Sequence, residues 1–365
     1  MPQFPTAQAV LTKAIEERVF PGAAYGVLLR DKLQAMESVG RFTYATDSPS
    51  VLPATIFDIA SVSKVLATMA MAMLLWERSQ LDLDRPIADH LPEFVSAALP
   101  DSARHTITAR MLLAHSSGLP AYAPLYEHCH SPATLLQACL QMPLEAPPET
   151  QTVYSDIGFI VLGHLLETIA QEPLGSYCVR EIFHRLDMGS TLYLPPPELR
   201  VGIPPTAATS PIRPRLIQGE VHDDNCYVLG GVSGHAGIFS NVADILRFAE
   251  CILRGGAPIF QPQTVSLFTA PHLLPLRPLG QHRALGWDMP SRPSSSGQFF
   301  SDGSVGHLGY TGTSLWIDFE KQLAIALLTN RTFPGNGPDG ISNQIQQTRP
   351  RFHDAVIWQL DLEAI

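Results

Sequence analysis

The sequence predicts an α+β fold, an antiparallel sheet flanked by helices with a mainly helical domain inserted into it. Strand–turn–strand patterns lie near both ends of the chain, and the stretch between them carries helical periodicity. The proline-rich segment 195–215, "PPPELRVGIPPTAATSPIRPR", supports this, because it cannot be a regular element and reads as an extended crossing back to the sheet. The expected organisation is a discontinuous sheet domain, 1–60 with 225–365, and a helical domain, 61–224, with the active site between them.

The elements follow in order. "MPQFPTAQAVLTKAIEERVF" is helical, with charges at Lys13, Glu16, Glu17 and Arg18. "GAAYGVLLRDKLQAMESVGRFTY" is two β-runs about an Arg-Asp-Lys turn. Helices are expected over 61–79, 108–114, 131–141 (Ser131 as cap, Pro132 in the first turn) and 156–171. "GHLGYTGTSLWIDFEKQLAIALLTNR" (306–331) predicts a second hairpin about Asp318-Phe319-Glu320-Lys321, and a helix over 341–362 closes the chain. Met69, Met71 and Met73 read as core filler.

Composition excludes several classes. A chain of 365 residues, 45% hydrophobic and 16% charged, is globular. A net charge of −10 and the lack of basic runs interleaved with aromatics oppose a nucleic-acid partner. The N-terminus has no export pattern, and the best apolar run, 65–76, falls short of the ~20 residues of a bilayer span. A cytoplasmic protein without a membrane anchor is the expectation. Five cysteines without a CxxC pair fit reduced thiols, and "EHCH" (127–130) lacks a second ligand pair, so neither a metal nor an organic cofactor is expected.

Chemistry concentrates in "FDIASVSK", residues 57–64. The chain has only four lysines, and Lys64 stands three residues after Ser61 at the head of an apolar helix. Three residues put both side chains on one helical face, and a desolvated amine can take a serine proton. The spacing alone is common; a solvated first-turn lysine is its plain alternative.

Two further segments change the weight: "VYSDIGFIVLG", with Tyr154 and Asp156 ahead of an apolar helix, and the glycine-bracketed strand "GHLGYTGTSLWID". With these and "SQLDLDRPIADHLPEF", "TARMLLAHSSGLP" and "GGVSGHAGIFSNVADILRFA" in order, the chain resembles the serine β-lactamase and penicillin-binding-protein superfamily. The branch it resembles holds class C β-lactamases, D-Ala-D-Ala carboxypeptidases and family VIII carboxylesterases. The resemblance implies a β-lactamase/transpeptidase-like fold and a serine hydrolase that forms an acyl-enzyme on a small ester, peptide or β-lactam. It implies Ser61 as nucleophile, Lys64 as its proton partner, Tyr154 as proton shuttle, and the backbone N–H groups of Ser61 and Tyr310 as oxyanion hole. His307, Leu308 and Gly309 match the Lys-Thr-Gly strand segment, and Asp156 stands where many relatives have asparagine.

The departures set expectations. Asp156 favours the ammonium form of Lys64, which would make Tyr154 the general base. Leu308 lacks the threonine hydroxyl, and His307 would be charged only below about pH 6.5 unless its surroundings shift it, so recognition of anions should be weaker. Esterase or D-stereospecific peptidase activity is therefore placed ahead of β-lactamase or carboxypeptidase activity, with a penicillin-binding sensor of slow deacylation third. His222, Asp223 and His235 either line the cleft mouth or cap a loop. His115 reads as a structural histidine, and Trp287 as packing near the third motif or forming a pocket wall. Pocket walls are expected from 120–150 and 270–300.

Overall fold

A computed structural model describes residues 3–95, 102–272, 283–291, 293–335 and 341–362. Both expected hairpins are present and join into one sheet. The strands are β1 (Gly22–Leu29), β2 (Lys32–Gly40), β3 (Phe57–Asp58), β4 (Leu192–Tyr193), β5 (Ile238–Ser240), β6 (Val305–Leu308), β7 (Ser314–Asp318) and β8 (Leu323–Thr329). Five form an antiparallel sheet in the order β2-β1-β8-β7-β6, so the first hairpin pairs with the last through β1 and β8, Val27 facing Ile325. At the β7–β8 turn the Glu320 and Lys321 N–H groups both donate to Asp318 Oδ1 at 3.0 Å.

Each face of the sheet is covered by helices. On one, Phe4, just ahead of the N-terminal helix Pro5–Glu16, and Leu11 within it meet Phe352 and Val356 of Ile341–Leu362 over Tyr25, Trp316 and Ile325. On the other, Val242–Leu253 lies close enough that a Cβ on Gly26 would strike Val242 and Leu246. The larger buried cluster continues from this face through Leu315 and Ile317 into the helical region. Each fully buried leucine or phenylalanine there contributes roughly 1.5–3 kcal/mol.

The helical region follows its caps. Thr108 accepts from Met111 N, Ser131 forms a capping box with Thr134, and Ser155 Oγ accepts from Gly158 N at the start of Asp156–Ala170. Met69, Met71 and Met73 are buried core, as is Trp287, whose ring packs on Phe248. Ala60–Glu77 has the length and apolarity of a membrane span, and 83% of it is buried inside the fold.

Three features differ from the simple reading. The expected helix at 61–79 starts as a 3-10 turn, Ala60–Val62, and passes through a π-helical stretch, Lys64–Met69, before becoming α-helical over Ala70–Glu77. Such wide turns recur at functional sites because they re-aim side chains. The proline-rich segment contains one helical turn, Pro197–Arg200, and is pinned near the end of β8, where Asn330 Nδ2 donates to Pro205 O at 2.9 Å. A small antiparallel sheet, β3-β5-β4, was not foreseen; its strands are only two or three residues long, too short for a periodic signal.

Candidate active site

Ser61 lies in the 3-10 turn directly after β3. The residue before it, Ala60, has φ +48°, a left-handed conformation that costs an alanine about 1 kcal/mol. Lys64 follows on the same face and is fully buried. Its Nζ donates to Ser61 Oγ at 3.0 Å, Asp156 Oδ1 at 2.6 Å and the His235 carbonyl at 3.0 Å, so all three ammonium hydrogens have acceptors. Burial opposes its charge, yet Asp156 and then Tyr154 outweigh that and raise the lysine above its ordinary value.

Tyr154 and Asp156 are placed by the start of Asp156–Ala170. The Ser155 N–H donates to His115 Nδ1 at 3.0 Å and Ser155 Oγ caps the helix, so the two neighbours of Ser155 point into the cleft. His115 stacks on Tyr154 and Phe159, the structural role read for it. Lys64 Nζ sits 4.9 Å from the Tyr154 ring centroid. Burial raises the Tyr154 phenol despite the opposing Lys64 charge, so the group rests protonated at neutral pH. Both shifts favour a Lys64 ammonium beside a neutral Tyr154 phenol.

The third motif closes the cleft. His307 and Leu308 end β6, and the Gly309 N–H donates to Thr313 O at 2.8 Å. A Cβ on Gly309 would run into Thr313 Oγ1 and the Ile59 carbonyl, so only glycine fits. The Tyr310 N–H makes no hydrogen bond to the described residues, and its half-exposed ring stacks on His222. His307 Nδ1–H donates to the Leu308 carbonyl at 2.8 Å. Burial, followed by the Lys64 charge, holds that imidazole well below its ordinary range. The surroundings thus shift His307 toward its neutral form, because it is buried beside cations, and the third motif loses positive charge.

One cavity of about 790 Å³ is lined by Ser61, Tyr154, Asp156, His222, His235, His307, Leu308, Gly309 and Tyr310. His235 reaches it with its ring fixed between Ser233 Oγ and Asp223 Oδ1, each at 2.9 Å, and holds Lys64 through its main chain. That partner keeps the Asp223 carboxyl at about 2 despite the cost of burial. Tyr122, Tyr126 and Arg283 come from the stretches expected to form walls, whose residues 273–282 and 292 lie outside the described residues.

Sequence reasoning missed Asp58, Arg283, Arg331 and Arg349. Arg349 donates to the carbonyls of Gly309 at 2.6 Å and Thr313 at 2.8 Å, bracing the third-motif loop from the C-terminal helix. Arg283 lies over the Tyr154 ring at 5.4 Å and Arg331 over the Tyr310 ring at 4.7 Å. No motif marks such residues, because tertiary packing brings them to the cleft.

A family profile described as Beta-lactamase matches residues 7–348. The chain belongs to the beta-lactamase family. Among relatives of this family, an N-acetylmuramyl-L-alanine amidase of Bacillus subtilis (strain 168) is 32% identical, over 90% of this chain and 77% of that protein. A putative D-alanyl-D-alanine carboxypeptidase of Escherichia coli (strain K12) is 30% identical, over 76% of this chain and 69% of that one. The fold is similar to that of EstCE1, a hydrolase with promiscuous acyltransferase activity, at TM-score 0.78 and 23% identity over 97% of this chain and 98% of that one. A class C beta lactamase from Rhodobacter sphaeroides matches at TM-score 0.71 and 20% identity, over 97% and 99%. The chain is thus a serine hydrolase of the beta-lactamase type, with amidase and carboxypeptidase relatives.

Proposed function

We propose that this beta-lactamase-family chain hydrolyses small esters or amides through an acyl-enzyme on Ser61, as carboxylesterases and D-stereospecific peptidases of the family do. The observation that carries the reading is the contact chain Ser61 Oγ–Lys64 Nζ–Asp156 Oδ1, at 3.0 and 2.6 Å, opening on a cavity of about 790 Å³. Lys64 passes a proton to Asp156 and takes the Ser61 proton in its place, so the ammonium is retained and Asp156 becomes the acid. The serine oxygen then bonds to the substrate carbonyl, whose developing charge faces the N–H groups of Ser61 and Tyr310. Tyr154, resting as a phenol, protonates the leaving group and is reprotonated by Lys64, which recovers its proton from Asp156.

A second reading, β-lactamase or D-Ala-D-Ala carboxypeptidase, is favoured by Arg283 and Arg331. Both line the cleft, and neither forms an ion pair with a described acid. These guanidiniums, Arg283 near the Asp288 carboxyl and Arg331 bonded to the Tyr310 carbonyl at 2.7 Å, give an anionic substrate cationic partners that the third motif lacks. A penicillin-binding sensor is the limiting case in which deacylation is slow.

Intact-protein mass over time decides among these. Wild type and Ser61→Ala are each given a short-chain p-nitrophenyl ester, a penicillin, a D-Ala-D-Ala peptide and a muramyl-L-alanine amide, the last chosen from the name of the B. subtilis relative. A transient adduct on wild type only, with repeated ester turnover, supports the hydrolase. A lasting penicillin adduct supports the sensor. Turnover by Ser61→Ala at the wild-type rate would overturn the Ser61 assignment.

A further inference from the structure

Asp58 ends β3, three residues before Ser61, and is buried. Its carboxylate is divided between two loops: Oδ1 accepts from the Ala60 N–H at 2.8 Å, and Oδ2 from the His222 N–H at 2.7 Å. The first bond holds the left-handed residue that precedes the nucleophile; the second ties down a wall of the cavity. The Asp58 carbonyl accepts from Thr311 Oγ1 at 2.8 Å, and the next carbonyl, Ile59 O, from Thr313 Oγ1 at 2.9 Å. The Ile59 N–H donates to Ile238 O at 3.1 Å. Residues 58 and 59 therefore gather the nucleophile turn, the His222 wall and the loop that carries the Tyr310 N–H.

We propose that Asp58 is a positioning residue for the Ser61 reaction: its carboxylate fixes the Ala60 backbone, and through it the aim of Ser61, against the His222 wall. The proposal rests on the Ser61 reading given above. Two donors meet two carboxylate oxygens, and a proton on either oxygen removes the charge and makes that oxygen a much weaker acceptor. A neutral side chain therefore loosens one of the two loops.

Surroundings make this loss accessible near neutral pH. Burial raises the carboxyl to about 6, opposed by the His222 and Ala60 N–H groups and by Arg213, and reinforced by Asp223. Cys226 also feels the Asp58 charge. His222 itself is held neutral at about 4 by burial, so it does not compete for the proton in this range. Below about pH 6 the carboxylate is lost, and with it the double tie.

The test compares wild type, Asp58→Asn and Asp58→Ala in the formation of the Ser61 adduct with a p-nitrophenyl ester, from pH 5 to 8. Asn keeps an oxygen for Ala60 but turns an N–H on His222, so acylation should fall about tenfold; Ala removes both acceptors and should cost about a hundredfold. Wild type should slow as pH drops through about 6, whereas Asn, with nothing to titrate at this position, should lack that limb. A folded Asn or Ala variant that acylates at the wild-type rate with the wild-type profile would overturn the proposal. Failure of the isosteric Asn variant to fold would overturn it too, in favour of a purely structural carboxylate. If wild type forms no Ser61 adduct, the Ser61 reading itself fails, which is a distinct outcome.

Discussion

Among the described residues, replacing Asp156 by Asn removes the one anion in contact with the fully buried Lys64 ammonium. At the 2.6 Å separation of Lys64 and Asp156, and an effective dielectric of about 20, the pair attraction is about 6 kcal/mol. With the anion gone, burial, the largest influence on Lys64, is opposed only by the weaker effect of Tyr154, and the amine is expected to shed its proton in the folded state. Deprotonating a lysine of ordinary value 10.5 at pH 7 costs about 5 kcal/mol, the same order as the lost attraction. Asp156→Asn should therefore lose about 3–5 kcal/mol of stability at pH 7.

The pH dependence reverses between the two proteins. In wild type the folded value is raised, so the contribution is full below 10.5 and is lost only as pH climbs through the folded value. In the variant the folded state binds fewer protons than the unfolded one, so stability rises by about 1.4 kcal/mol per pH unit toward 10. Urea unfolding followed by tryptophan fluorescence at pH 7 and pH 9 measures both quantities. A loss below about 1 kcal/mol, or an equal loss at the two pH values, would refute the view that Asp156 holds Lys64 charged. The catalytic counterpart is a changed pH–rate profile, because the amide cannot accept the lysine proton; an unmoved profile would remove Asp156 from the relay.

Other expectations follow from the same geometry. His307→Lys puts a charge on a strand end that is neutral in wild type and should improve turnover of carboxylate-bearing substrates relative to neutral esters; equal ratios would discard the argument about anion recognition. Gly309→Ala drives a Cβ into Thr313 and the Ile59 carbonyl, displacing the adjacent Tyr310 N–H, and should lower kcat by roughly a hundredfold or more in an ester assay. Arg104, buried and donating to the carbonyls of Phe94, Leu140 and Met142, should cost about 3 kcal/mol or more on replacement by Ala, with ester hydrolysis intact at low temperature; a chemical-denaturation midpoint equal to wild type would contradict this.

Much of the architecture is legible because its signals are local. The β1–β2 and β7–β8 hairpins announce themselves by alternation around polar turns, and the helices at 109–113, 132–140 and 156–170 by a capping residue ahead of an apolar run. The Ser61–Lys64 pair is legible for the same reason. Asp58 is not: one acidic residue in a short strand has no distinguishing pattern until Ala60 and His222 are seen to share its oxygens. The left-handed Ala60 and the π-helical Lys64–Met69 are hidden likewise, since alanine is the best of helix formers and tertiary bonds override its preference. The neutrality of His307 depends on burial, which the sequence of a strand end does not report.

The pairing of β1 with β8 has a consequence for how reactivity arises. Ser61 and Lys64 leave the ribosome early, yet Gly309 and the N–H of Tyr310 lie in the turn between β6 and β7, next to the β7–β8 hairpin that must dock across some 300 residues of intervening chain before β1 has its inner neighbour. Contacts of such long separation form late, because loop closure precedes their reward. On the proposed Ser61 reading, the nascent chain carries its nucleophile without the Tyr310 N–H and gains that donor only when synthesis is nearly done. On the same reading, any cleavage that removes β6 to β8 would separate the serine from that donor again.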